Sequence, residues 1–169
     1  FNATSRYFKN IRNNPQLLRI FLQEMPKGGE LHTHLMGATY AENLIQYAQK
    51  SDFCINPTSF ALYHNTNCKD MYKISNLIKN PLLYDAVIDA WSMRNFTPGK
   101  ESGHMHFFVT FDKFMPLGIK YRGRILAEML SRAACQNEDY LEIMIITNFM
   151  QANRLADKIK WQNNFSVMR

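Results

Sequence analysis

The sequence predicts an α/β fold built on a parallel sheet. Segments with apolar residues at helical spacing alternate with short apolar runs, and this alternation is typical of βα units. Residues 140–146 are almost continuously apolar, as in a strand that is covered on both faces. Because few strands are evident in 169 residues, we interpret the sheet as an incomplete part of a larger one.

Composition and charge exclude several classes of protein. Hydrophobic residues make up 46% of the chain and charged residues 20%, so the chain can bury a core and is not intrinsically disordered. No apolar run approaches the roughly 18 residues that a membrane span needs. The net charge of +6 is scattered along the chain, so neither a nucleic acid nor a membrane is expected as a partner.

Apolar periodicity divides the chain into helices and loops. The predicted helices cover residues 14–26, 39–48, 80–97, 122–136 and 151–161. Thr39 and Glu42 form a capping-box pattern at the start of the second helix. Residues 107–115 are rich in aromatic side chains, and the sequence does not decide their secondary structure. Residues 53–70 are interpreted as a polar loop. We therefore expect an N-terminal helical segment, 1–26, followed by βα units over 27–169.

The three cysteines allow two interpretations. Cys54 and Cys68 flank a stretch rich in Asn and Thr, and pairing them would stabilise the fold by roughly 3 kcal/mol in an oxidising compartment. Two free thiols are the alternative. Cys135 lies in a helical pattern and is expected to be buried. A secreted or periplasmic location is favoured over a cytoplasmic one.

Two His-x-His pairs are the sharpest local features of the sequence. Residues two apart in a strand project from the same face, so His32 and His34 can bind one metal ion. They end a predicted strand over 30–35, directly before a loop and a helix, where βα-barrels build their sites. For His104 and His106, a structural or surface role is favoured over a second metal site or a substrate-side group.

Several other polar and aromatic residues can be explained by structural or surface roles as well as by functional ones. Glu142 either supports a site from behind, forms a buried ion pair with an Arg, or occupies an ordinary rim position. Asp112 and Lys113 are interpreted as a charge pair in a loop. Phe107 and Phe108 are interpreted first as core residues and only second as the lining of a pocket.

Residues 25–38, Met-Pro-Lys-Gly-Gly-Glu-Leu-His-Thr-His-Leu-Met-Gly-Ala, resemble the opening motif of the adenosine deaminase family. In that family a Pro-Lys turn leads into a strand that reads Glu-Leu-His-x-His-Leu-x-Gly. The chain looks most like the longer bacterial members, which are related to the secreted adenosine deaminase growth factors. Residues 111–116, Phe-Asp-Lys-Phe-Met-Pro, and the helix and strand after them are similar to the family's next elements, so the resemblance spans most of 15–146.

The resemblance implies the N-terminal portion of a (β/α)8 TIM barrel, preceded by a helix, in a zinc-dependent amidohydrolase. His32 and His34 match the family's first metal ligands, and Phe111 and Phe114 match the segment that closes over the purine. The implied reaction is hydrolytic deamination of adenosine to inosine and ammonia, in which zinc activates water. The family's other ligands and its acid–base residues lie on later strands. These 169 residues are therefore expected to contain no catalytic residue and to supply only the N-terminal part of the active site.

One departure from the motif leaves the substrate open. Met36 stands where the family has an Asp that helps to hold the ribose, and a thioether cannot accept a comparable hydrogen bond. One alternative is a non-catalytic relative that binds nucleosides or acts as an extracellular interaction protein. Another is an amidohydrolase with a different substrate. The expected partners are a purine nucleoside and a second copy of the chain, with the N-terminal helix and residues 53–70 as candidate dimer surfaces.

Overall fold

The computed structural model describes residues 2–64, 67–146, 148–159, 164 and 166, and these form a mixed helical and sheet structure. The α-helices in these ranges are α1 (Asn2–Ile11), α2 (Pro15–Glu24), α3 (Ala41–Ala48), α4 (Pro81–Trp91), α5 (Gly103–Lys120), α6 (Arg122–Cys135) and α7 (Phe149–Ile159). The strands are β1 (Gly28–His34), β2 (Phe53–Ile55), β3 (Leu62–His64) and β4 (Glu138–Met144). No closed barrel is found among the described residues, and a partial barrel stays a prediction.

The strands β1 and β4 form a two-stranded parallel sheet in which His34 lies opposite Met144. β4 begins two residues earlier than the strand predicted over 140–146, because Asn137 takes a left-handed conformation (φ 58°) and ends the turn after α6. The expectation that both faces of this strand are covered was wrong for the described residues. Ile143 packs against the core, whereas Tyr140 and Met144 are exposed on the other face.

The N-terminal segment is a pair of helices, of which only the second was predicted. Asn14 caps α2 by accepting hydrogen bonds from the backbone N–H groups of Gln16 and Leu17. The ring of Phe8 on α1 packs against that of Phe21 on α2, with centroids 5.6 Å apart. β1 begins two residues before the predicted strand over 30–35, because Gly28 already pairs with Glu138.

The start of α3 and the end of α4 differ from the sequence prediction. The cap of α3 is Tyr40, which makes no side-chain capping bond, so the capping box at Thr39 was wrong. Instead Thr39 is 7% exposed, and its hydroxyl has no hydrogen-bond partner in the described part of the chain. α4 ends at Trp91, because the backbone of Ser92 is extended.

Residues 53–70 are not a simple polar loop, because they contain the antiparallel hairpin of β2 and β3. Cys54 and Cys68 form a disulfide bond, and Cys54 is buried. Cys135, in contrast, is an exposed free thiol, contrary to expectation. It follows the buried Ala133 by two residues, and that spacing places it on the opposite side of α6.

The hydrophobic core lies between α3, α4, α5 and α6, and one face of the sheet packs against it. Its most deeply buried side chains include those of Leu44, Leu77, Val87, Phe114 and Ile125. Residues 107–115, whose secondary structure the sequence did not decide, lie within α5. The side chain of Ser102 caps this helix by accepting a hydrogen bond from the backbone N–H of Met105. None of the described helices is long and apolar enough to cross a membrane.

Candidate metal centre and adjoining cavity

His32 and His34 lie on the same face at the carboxyl end of β1. Their ring centroids are 5.3 Å apart and their planes are inclined by 69°. His32 is exposed and His34 is half-buried. Neither ring makes a hydrogen bond with another described residue, so the ring nitrogens are available to a ligand.

The separation of the two rings fits a shared zinc ion. An imidazole nitrogen lies about 1.1 Å from its ring centre, and Zn–N bonds are about 2.0–2.1 Å long. Two imidazoles on one tetrahedral ion therefore have ring centres about 5 Å apart. The 5.3 Å between the ring centroids of His32 and His34 is close to this value. No group of three or more His, Cys, Asp or Glu side chains that could hold a metal ion is found within the described ranges, so this pair falls short of the three protein ligands usual in a catalytic zinc site.

Three phenylalanine rings of α5 surround the ring of His34. The centroids of Phe107, Phe108 and Phe111 lie 6.0, 5.8 and 5.9 Å from it, and the first two rings meet it edge to face. These contacts restrict the rotation of the imidazole and shield one side of it from water. Of the two sequence interpretations of Phe107 and Phe108, the second, pocket lining, fits Phe108, and neither included the contact with His34. Their spacing to Phe111, four and three residues along one helix, is the signal that groups them.

Two glycines allow α5 to lie close to the turn after β1. A Cβ atom on Gly37 would come within 2.7 Å of the ring of Phe111. A Cβ atom on Gly118 would overlap the thioether of Met36. The absence of a side chain at both positions therefore lets Phe111 reach His34 and lets Met36 pack against α5.

Arg132 holds the same turn from the other side. Its guanidinium donates to the backbone carbonyl of Ala38 and pairs with Glu128 on its own helix. It also lies over the ring of Tyr40, 4.5 Å from the centroid. The hydrogen bond from Arg132 to Ala38 joins α6 to a turn 94 residues earlier in the chain, and it keeps the segment after His34 in place.

A cavity of about 490 Å³ opens beside His34, between α5 and the ends of β1 and β4. Its walls consist largely of apolar side chains, among them Met36, Phe108, Phe111 and Met115. His34 and Asp112 are the polar side chains that line it. The volume and the apolar walls with few polar groups are typical of sites for small organic molecules.

The predicted substrate residues Phe111 and Phe114 have different positions. Phe111 lines the cavity and contacts His34. Phe114 is 1% exposed, belongs to the core and packs against Trp91 with ring centroids 5.9 Å apart. It does not line the cavity beside His34, although its ring contacts that of Phe111, with centroids 5.8 Å apart.

The second pair, His104 and His106, lies on α5, where residues two apart point about 200° away from each other. The Nδ1 atom of His106 lies 2.9 Å from Glu101, and its Nε2 atom lies 3.1 Å from the carbonyl oxygen of Ser92. The hydrogen bonds to Glu101 and then to Ser92 raise the pKa of His106. His104 is exposed and its ring contacts that of Phe108. These positions agree with the structural and surface roles that the sequence favoured.

For Glu142 the structure fits an ordinary rim position, which is one of the three alternatives that the sequence left open, whereas the charge pair predicted for Asp112 and Lys113 was wrong. Glu142 is exposed and accepts a hydrogen bond from the hydroxyl of Tyr140 (3.1 Å), so it neither supports His34 from behind nor forms a buried pair with Arg. Asp112 and Lys113 lie on α5 and do not form a charge pair. Lys113 turns inward and donates to the carbonyl of Ala90 (3.2 Å), and burial lowers its pKa.

Comparison with protein-family models, curated proteins and solved structures finds no match to this chain. A relation to adenosine deaminases therefore stays a prediction, which rests on the residues of the opening motif.

Proposed function

We propose that this chain supplies the N-terminal part of the active site of a zinc-dependent hydrolase that converts adenosine to inosine and ammonia. The observation that supports this most strongly is the adjacent placement of His32 and His34 at the carboxyl end of a parallel strand, beside a cavity of about 490 Å³. The resemblance of residues 25–38 to the adenosine deaminase motif supplies the reaction and the substrate class.

In this proposal His32 and His34 hold zinc through neutral imidazole nitrogens. Bound zinc lowers the pKa of water, so that hydroxide is available near neutral pH. Phe108 and Phe111 cover a flat face of the purine and keep bulk water away from the reacting ring. The remaining ligands and the groups that transfer protons come from later strands, as the resemblance implies.

One observation favours a second candidate, an amidohydrolase with a substrate other than adenosine. Met36 lines the cavity and packs against Gly118, so its weakly accepting sulfur stands where a ribose would need a stronger acceptor. A third possibility, a non-catalytic relative that binds nucleosides, shares the same cavity and the same two histidines.

Metal content and turnover, measured on one sample of the complete protein, test the proposal. We expect about one zinc per chain and inosine formation that stops after chelation and returns when zinc is added. Zinc with nucleoside binding but no product would favour the non-catalytic relative. Zinc with deamination of other aromatic amines alone would favour the second candidate. Absence of bound zinc at neutral pH would contradict the proposal.

A further inference from the structure

One stripe of α5 forms the wall of the cavity opposite the sheet. Met105, Phe108, Asp112 and Met115 all line the cavity, and they fall within about 80° on the helix surface. The three apolar members are 58%, 42% and 36% exposed, which is unusually high for large apolar side chains on one stripe. A carboxylate therefore stands in the middle of an apolar surface that faces the cavity.

Asp112 makes no ion pair or hydrogen bond with another side chain in the described part of the chain. Three cations of α5 and of the first turn of α6 donate to other groups. Lys113 donates to the carbonyl of Ala90, Lys120 to the hydroxyl of Ser51 and Arg122 to the carbonyl of Ile146. Asp112 is exposed, so water supplies donors to its carboxylate while the cavity is open, and a ligand that displaces this water leaves the carboxylate in need of another donor. A ligand in the cavity can supply that donor.

We propose that Asp112 determines specificity by accepting a hydrogen bond from a ribose hydroxyl of the substrate. This inference rests on the proposed function, because it assumes a nucleoside whose base lies against Phe111 and whose reacting carbon faces His34. The apolar walls hold the base, and the carboxylate holds the sugar at the α5 side of the cavity. In this arrangement Asp112 on α5 supplies the hydrogen-bond acceptor for the ribose that Met36, after β1, does not provide.

The test compares adenosine with 9-methyladenine, which has the same base and no ribose hydroxyl. KM, kcat and the Kd from calorimetry are measured for both compounds in the complete protein. The variant is Asp112→Asn, and the matched control is Asp139→Asn, an exposed Asp at the opposite end of β4. Thermal unfolding of each variant checks that the fold is retained.

We expect Asp112→Asn to weaken adenosine binding roughly ten- to a hundredfold, the usual value of a hydrogen bond to a charged group. Binding of 9-methyladenine should change less than about twofold, and Asp139→Asn should change neither. Equal losses for both compounds, or no loss for adenosine, would overturn the role of Asp112. The calorimetric arm separates this inference from the proposed function. Adenosine binding that depends on Asp112 without turnover supports the residue and rejects the reaction, whereas a wild-type protein that binds neither compound rejects both.

Discussion

The same tripeptide pattern, His-x-His, occurs twice in this chain with opposite consequences. On β1 the pattern places His32 and His34 on one face, 5.3 Å apart, with free ring nitrogens. On α5 it places His104 and His106 on different sides of a helix, and both nitrogens of the second are engaged. The difference shows that spacing acquires a chemical meaning only once the backbone conformation is known.

The sharpest test of this comparison is to remove each pair of imidazoles. Replacing His32 and His34 with Ala should lower zinc affinity on the order of a hundredfold or more, since even partners outside the ligand shell contribute ten- to a hundredfold. Replacing His104 and His106 with Ala should leave zinc affinity unchanged within a few-fold. Competition with a chromogenic chelator measures both. A larger loss from the helical pair would reverse the assignment of the metal site.

A second test breaks the contact between α5 and the turn after β1. Gly37→Ala would push a Cβ atom to within 2.7 Å of the Phe111 ring, which then presses on His34. We expect a loss of about 1–3 kcal/mol in the free energy of unfolding, typical of overpacking. We also expect weaker zinc binding. Urea unfolding and the chelator assay measure the two effects.

The matched control for this test is Gly123→Ala, because a Cβ atom there meets nothing within 4 Å. Gly123 lies in the first turn of α6, so alanine should be neutral or stabilise by up to about 1 kcal/mol. If both glycine variants behave alike, the close approach of Phe111 to the turn does not position His34.

The smallest predicted effect is the pH dependence of the helical pair. The pKa of His106 is raised in the folded protein by Glu101 and Ser92, so protonation favours the folded state. This contribution is full below the usual His pKa of about 6.5 and is lost as the pH rises through the higher folded value. Glu101→Gln should therefore lower the melting temperature near pH 6 and leave it unchanged near pH 9. The difference should correspond to less than about 1 kcal/mol, because Glu101 is 43% exposed.

Zinc binding by His32 and His34 should change with pH in the opposite direction to the stabilising effect of His106. Metal binding needs neutral imidazoles, so zinc affinity at His32 and His34 should rise with pH. Melting curves and zinc titrations at the same pH values compare the two pairs directly. A Glu101→Gln effect that grows toward alkaline pH would show that Glu101 does not act through His106.

Signals confined to a few neighbouring residues predicted the structure well. Asn14 and Asn80, each followed by Pro, begin α2 and α4, and both side chains accept backbone hydrogen bonds as their sequence context indicates. The periodic apolar residues of α6 predicted its extent closely. Thr39 failed as a cap because the tight turn after β1 buries its side chain, and Tyr40 takes the capping position instead.

The sequence by itself predicted α2, α3, α4, α6 and α7 but not α1 or α5, and it predicted the strand that carries His32 and His34 and the choice of these residues as candidate ligands. It left open the pairing of Cys54 with Cys68, and it missed the aromatic enclosure of His34 and the isolation of Asp112 from Lys113. Helix caps and apolar periodicity depend on hydrogen bonds and packing within a few residues, so they can be predicted locally. The enclosure of His34 requires α5 to lie against β1, and the position of β1 depends on its pairing with β4 more than a hundred residues later. Contacts between segments so distant in sequence leave no local pattern, and only the tertiary structure decided them.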